Sequence, residues 1–278
     1  MQKGNTHKIG IGTVQFGLNY GISNKKGKTN KIEIEQILNT AKSKGIEYID
    51  TASAYGNAEE MLGQFDLSQF KVVSKFMPPQ GQKISNQINQ SLEKLNQNPI
   101  YGYLAHRPLD ILENPEQWSQ LQELKANGVV KKIGYSLNEP EEIYQLLGKG
   151  YYPDLIQVPY NYFDRRFEEI IIELKHKGCE IHTRSTFLQG LFFMKPGELS
   201  SFFDEVKPHL RSLQKINLLS KSLLNFTLNK GFIDKVIIGV ENNKQLIENL
   251  DNTTEIEELE KLDFRFSKKI LMPMYWPK

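Results

Sequence analysis

The sequence predicts a parallel (β/α)8 barrel, the TIM-barrel arrangement, with an additional C-terminal helix. Three observations carry that expectation. Short apolar segments of strand length alternate eight times with stretches whose apolar residues recur at helical spacing. No linker or shift of composition breaks the alternation, so residues 1–278 are expected to form one barrel domain, with a C-terminal helix and tail from about residue 254. Several of the strand segments also end on a polar or ionisable residue, and a barrel gathers its strand C-termini at one mouth.

Taken in order, Lys8 to Thr13 reads as the first strand, with Gly10 and Gly12 where something comes close to the backbone. A long loop rich in Gly, Asn and Lys follows from Val14 to Asn30. Ile34, Ile37, Leu38 and Ala41 then share one helical face, with Thr29 or Asn30 as cap and Gly45 as stop. The stretch from Gly45 to Gly56 is a strand ending on Asp50, followed by a Ser/Ala/Gly turn that presents Tyr55. A short helix is expected from Asn57 to Gln64, a third strand over Lys71–Phe76, and a helix striped by Ile84, Ile88, Leu92 and Leu95. The fourth strand, Ile100 to His106, is closed by Arg107-Pro108.

Trp118, Leu121 and Leu124 mark the next helix, Val130–Ser136 the fifth strand, Glu139–Leu147 a helix and Asp154–Val158 the sixth strand. Phe167, Ile170, Ile171 and Leu174 precede the seventh strand, Cys179–Arg184. After an irregular Phe/Gly/Pro segment, one long helix is expected from Lys207 to Lys230, then the eighth strand, Lys235–Gly239, and its helix, Asn243–Leu250. Ile256, Leu259, Leu262 and Phe266 pattern the additional helix, and the aromatic tail from Met272 to Trp276 has no slot in the barrel.

Composition narrows the function. The formal net charge of +2 lacks the basic excess of a nucleic-acid or anionic-membrane binder, which leaves small molecules as the expected partners. No apolar run approaches the ~18 residues needed to span a bilayer, and the first residues lack a signal peptide's apolar core. The single cysteine, Cys179, reads as a reduced, buried thiol, so a cytoplasmic setting is expected. Gly10-Ile11-Gly12 lacks the third glycine of a dinucleotide fingerprint, and the stretch from Gly21 to Thr29 has one residue too many between its glycines for a P-loop. A metal-dependent hydrolase would need clustered ligands, and His7, His106, His176, His182 and His209 do not supply them, so no metal is expected.

The polar strand ends remain. Singly, Asp50 reads as a turn cap, Lys75 as a solvated cation and His106 as a core histidine. On consecutive strands of one barrel they converge with Tyr55, and an ammonium beside a phenol favours the phenolate and makes the tyrosine a readier proton donor. Asp50 would hold Lys75 charged.

Asp50-Thr51-Ala52 with Tyr55-Gly56, Ser74-Lys75 and the run from Leu104 to Pro108 resemble, in order and position, the tetrad motifs of the aldo-keto reductase superfamily. That resemblance spans Gly10 to about Leu250. It implies hydride transfer between a nicotinamide cofactor, NADP(H) or NAD(H), and a small-molecule carbonyl, with Tyr55 as acid, Lys75 activating it, Asp50 pairing Lys75 and His106 orienting the carbonyl. It implies a cofactor cleft at Gly12, Thr13 and Asp50, at Ser136 and Gln157 for the carboxamide, and at Arg184 and Ser185 beside the nicotinamide. Phe187, Gln189 and Gly190 resemble the pyrophosphate loop, and Gly239, Glu241, Gln245, Glu248 and Asn249 the adenosine clamp. Leu137 stands where many members have an asparagine, Arg184 where an aromatic ring is common, and Glu241 and Gln245 where NADPH-preferring members place an arginine.

For the substrate, Phe16, Tyr20, Tyr55, Phe76, His106 and Arg107 are the candidate wall, with Tyr160 and Tyr162 as further candidates, and Arg107 points to an anionic or hydroxylated compound. The alternative expectation is a catalytically weak nucleotide-sensing regulatory protein on the same barrel, with a protein partner.

Overall fold

A computed structural model describes residues 5–251, 256–260 and 262–277. Eight parallel strands close into a barrel in sequence order: β1 (Ile9–Gly12), β2 (Tyr48–Asp50), β3 (Lys71–Phe76), β4 (Ile100–Ala105), β5 (Val130–Ser136), β6 (Leu155–Pro159), β7 (Glu180–Arg184) and β8 (Lys235–Gly239). Closure is made by β1 pairing with both β2 and β8, so that Gly12 lies opposite Asp50 on one side and Gly239 on the other. Lys75 registers with Leu104, and Ser136 with Gln157. These pairings bring the polar strand ends to one mouth.

The intervening helices bury the faces that their spacing predicts. Helix Lys31–Ser43 buries Ile34, Ile37, Leu38 and Ala41 and is capped by Asn30, whose side chain accepts from the Glu33 N–H at 3.0 Å. Helix Pro140–Gly148 opens on a capping box between Glu139 and Glu142. At the opposite mouth, a 3-10 turn at Asn5–Lys8 covers the barrel floor, where Lys8 donates to the carbonyls of Leu228 and Lys230 at 3.0 Å each. Just above it Glu180 accepts from Tyr101 Oη at 2.6 Å and pairs with Lys132 at 2.6 Å and His182 Nε2 at 2.7 Å. Burial would raise the Glu180 carboxyl, but these partners hold it well below the usual carboxylate range. Polar satisfaction at this face serves stability.

Two expectations are corrected. The long helix expected over Lys207 to Lys230 is two, Lys207–Leu213 and Leu219–Leu228, broken where Leu218 takes φ +56°. A straight helix over that span would run roughly 36 Å; the break instead lets Leu210, Leu213, Leu219 and Leu223 all enter a second apolar cluster beside the barrel. The amphipathic pattern from Ile256 to Phe266 forms no helix among its described residues. The segment is pinned by its carbonyls, with Tyr162 Oη donating to Glu260 O at 2.7 Å and Arg165 Nη2 to Leu262 O at 2.6 Å, while Leu259, Leu262 and Phe266 pack on the second cluster. The additional C-terminal helix is the single turn Lys268–Leu271. Among the described residues no helix is long and apolar enough to cross a membrane.

Cys179 is buried just ahead of β7, and burial pushes its thiol up to about 12. A thiolate-directed reagent at pH 8 is therefore expected to leave the folded protein unlabelled and to titrate one thiol after denaturation; stoichiometric labelling of the folded protein would contradict this placement.

Candidate active site

Asp50 ends β2, and both its backbone and its carboxylate are tied down. Its carbonyl accepts from the N–H and the hydroxyl of Thr13, each at 3.0 Å. Carboxylate Oδ1 meets Lys75 Nζ at 2.7 Å, and Oδ2 accepts from Gln157 Nε2 at 2.7 Å. Lys75 has no solvent exposure (0%), an environment in which a lone ammonium would give up its proton. Its remaining two protons are directed to Thr51 O at 2.8 Å and Tyr55 Oη at 3.4 Å, so every donor has a place. Burial alone would lower the affinity of Lys75 for its proton; the Asp50 charge and hydrogen bond outweigh it, and the net shift is upward.

Tyr55 is positioned by backbone. Its N–H donates to Ala52 O at 3.0 Å, its carbonyl accepts from Ala58 N–H at 3.1 Å, and Gly56 turns the chain at φ +58°. Gly17, at the end of a one-turn helix after β1, packs so closely on the Tyr55 carbonyl that a Cβ there would overlap it. The Lys75 ammonium stands 4.9 Å from the centroid of the Tyr55 ring.

His106 follows β4 and meets Tyr55 edge to face at 5.8 Å, with 82° between the rings. Its Nδ1 is buried without a hydrogen-bond partner among the described residues. Burial first, then the charges of Lys75, Arg184 and Arg107, push its pKa down to about 3, so the imidazole is neutral.

These groups open into a cavity of about 590 Å³ at the strand C-termini. It is lined by Gly12, Thr13, Asp50, Tyr55, His106, Arg107, Arg184, Ser185, Phe187, Gln189, Gly190, Gly239, Glu241, Gln245, Glu248, Asn249 and Tyr20, all singled out from the sequence. Five of the residues singled out lie behind the wall. Lys75 stands behind Tyr55, Ser136 and Gln157 are buried, and Phe16 and Phe76 belong to the apolar core. Phe76 ends β3 against the ring of Tyr103, 5.1 Å away, and Phe16 is the buried residue of the one-turn helix, so neither forms the expected substrate wall. Tyr160 and Tyr162 are buried too, bonded to Glu168 and Glu260. The Gln157 amide nitrogen is used on Asp50, while its Oε1 is buried with no hydrogen-bond partner among the described residues.

Arg184, at the end of β7, donates to Leu137 O at 3.0 Å, Asn138 Oδ1 at 2.7 Å and Ser185 Oγ at 3.1 Å, so its guanidinium is fixed at the wall. Asn138, one residue beyond the expected position, was not predicted; Leu137 is buried and lends only its carbonyl. Gln15, Ser23, Thr186, Phe193, Ser220, Pro273 and Met274 also line the cavity unpredicted. The last two come from the tail that had no assigned place, whose Trp276 packs on Phe203 and donates to Ile270 O at 3.0 Å.

A strap crosses the cavity. Ile22 N–H donates to Gln189 O at 3.0 Å, and Gln189 Nε2 donates to Tyr20 Oη at 2.9 Å, which joins the loop after β1 to the loop after β7. Gly190, at φ +90°, leaves room for Ser23 beneath it.

Comparison with known proteins agrees with the fold. A family model described as the aldo/keto reductase family matches residues 8–268. The Bacillus subtilis protein YqkF, named an uncharacterised oxidoreductase, is 25% identical over 275 residues, covering 87% of this chain and 86% of its own. Among solved structures, one described as an aldo-keto reductase of Pseudomonas aeruginosa matches with a TM-score of 0.66 at 25% identity, over 87% of this chain and 88% of its own. The holo form of AKR11C1, an aldo-keto reductase of Bacillus halodurans, shares the fold with a TM-score of 0.70 at 22% identity, over 91% and 88%.

The depressed His106 imidazole has a consequence for stability. Its folded value of about 3 lies below the ordinary 6.5, so protons bind preferentially to the unfolded chain. Its contribution to stability is present above about pH 6.5 and is lost progressively as pH falls toward 3. Thermal melts between pH 7 and 4 are expected to show a shallower loss of Tm for His106→Asn than for the native protein; identical slopes would contradict the burial of a neutral imidazole.

Proposed function

Because the chain belongs to the aldo-keto reductase family, which carries out NAD(P)H-dependent oxidoreduction of carbonyls, we propose that it reduces an aldehyde or ketone to the alcohol with Tyr55 as the proton donor. The observation that carries this reading is the buried chain from Asp50 through Lys75 to Tyr55, ending beside a neutral histidine at the floor of an open cavity. As Tyr55 Oη passes its proton to the carbonyl oxygen, negative charge develops on the phenol, and the Lys75 ammonium 3.4 Å away stabilises it. Asp50 keeps that ammonium charged and in place. His106, neutral and edge-on to Tyr55, hydrogen-bonds the same carbonyl oxygen and orients it. The complete set favours turnover over a purely sensory role.

The residues fit a dinucleotide. The cavity volume lies in the range of cofactor sites, and Gly12, Gly190 and Gly239 line it with bare backbone that a ring or a phosphate can approach closely. The bound cofactor supplies the hydride. Of the residues lining the cavity, Gly12, Thr13 and Arg184 would hold its nicotinamide end, Gln189 and Gly190 its pyrophosphate, and Gly239, Glu241, Gln245, Glu248 and Asn249 its adenosine. A carboxylate at Glu241 repels a 2′-phosphate, and Lys244, the cation nearby in sequence, lies 3.7 Å from Glu248. Both features support NAD(H) over NADP(H).

Two measurements test this reading. Tyr55→Phe is expected to lower kcat on a carbonyl panel by about 10²–10⁴-fold while cofactor still binds; undiminished turnover would overturn the assignment. Glu241→Gln is expected to tighten NADPH several-fold relative to NADH in a fluorescence titration, and an unchanged ratio would remove Glu241 from cofactor selection.

A further inference from the structure

The catalytic end of the cavity carries positive charge that the protein does not answer. Lys75 is neutralised by Asp50 at 2.7 Å. Among the described residues Arg184 donates only to neutral groups, the Leu137 carbonyl, the Asn138 amide and the Ser185 hydroxyl. Arg107 lines the cavity, is exposed, and its guanidinium makes no hydrogen bond or ion pair among the described residues. Both arginines add to the positive field at His106.

The barrel separates the two guanidinium groups by task. Arg184 ends β7, next to β8, whose loop carries Glu241 and the rest of the proposed adenosine end. Arg107 follows β4, which in a closed sheet of eight strands stands directly across from β8. Its charge is therefore far from the dinucleotide's anionic groups and adjacent to the residue that orients the carbonyl. Its backbone is fixed between His106 and the buried Pro108, while its side chain is free to reach into the mouth. Tyr20, Phe193 and Met274, which line the same cavity, expose 38, 43 and 56% of their surfaces, so the mouth is partly apolar and holds the guanidinium groups of Arg107 and Arg184.

We infer that the substrate is an aldehyde or ketone with an apolar body that ends in a carboxylate, and that Arg107 holds the carboxylate. The inference rests on the reductase reading above for the carbonyl, and on the unanswered charge and partly apolar mouth for the rest. A guanidinium matches a carboxylate in both charge and fork geometry. A single such cation balances a monoanion and would leave half of a phosphate dianion unanswered, which favours the carboxylate. Arg107 acts by binding and does not touch the reacting atoms.

The test compares para-carboxybenzaldehyde with its neutral isostere, the para-carboxamide, in the full-length protein with cofactor. Binding is read by calorimetry in Tyr55→Phe, which holds the ligands without consuming them, and turnover is read in the native protein. The acid is expected to bind about 10- to 100-fold tighter than the amide, with the preference expressed in KM rather than kcat. Added to either background, Arg107→Gln is expected to bring the ratio close to one, and Arg107→Lys to restore part of it. Equal affinity for acid and amide, or a preference that survives Arg107→Gln, overturns the inference even if both compounds are reduced. Discrimination in binding without turnover of either compound upholds the carboxylate site and overturns the reductase reading.

Discussion

A lysine with no access to water has to be given a counter-ion, and the Asp50–Lys75 pair is the constraint on which this mouth of the barrel depends. Removing one partner of such a pair leaves an uncompensated buried charge at a penalty of about 3–5 kcal/mol. The pair bridges adjacent strands, and its second carboxylate oxygen is bonded across the barrel to Gln157 on β6. Thr13 at the end of β1 grips the carbonyl of the same aspartate. Four of the eight strands are thus tied to one aspartate, through its carboxylate or its backbone carbonyl, and a slip in any of them would cost a buried hydrogen bond as well as sheet pairing.

The same arrangement explains how a phenol in a loop becomes rigid. Lys75 has only three protons to give, and Asp50 and Thr51 take two at short distance. The third is left for Tyr55 at a longer separation, which leaves the phenol oxygen free for a carbonyl. Gly17 and Gly56 bring the two loops together behind it. Loop residues therefore present the chemistry, and strand residues fix it.

The barrel was legible because its signal is local and repeated: each strand is a short apolar run, and each helix buries the stripe that its spacing marks, as Ile84, Ile88 and Leu95 do. The meeting of Asp50, Tyr55, Lys75 and His106 was legible because Asp50, Lys75 and His106 lie at or beside the ends of consecutive strands and Tyr55 in the loop after the first, so topology brings them together. What was not legible depends on long-range packing. Leu218 breaks a helix because two leucine faces must reach one cluster, and the described residues of 256–266 form no helix, with the carbonyls of Glu260 and Leu262 bound by Tyr162 and Arg165. Phe16 and Phe76 look like pocket aromatics in sequence, but whether a ring faces the mouth or the core is decided by the strand and helix that carry it. Met274 and Ser220 reach the cavity from chain segments with no motif, so only the folded chain reveals them.

The strap between Gln189 and the Tyr20–Ile22 segment has a consequence for traffic. Its side-chain bond is solvent-exposed, and two such bonds contribute together about 1–3 kcal/mol. A clasp of that strength is undone in roughly one molecule in five to one in a hundred and fifty at any instant, and loops of this kind move on the nanosecond to microsecond scale. A long ligand threaded beneath it must wait for such an opening, so the strap sets the residence of whatever lies under it.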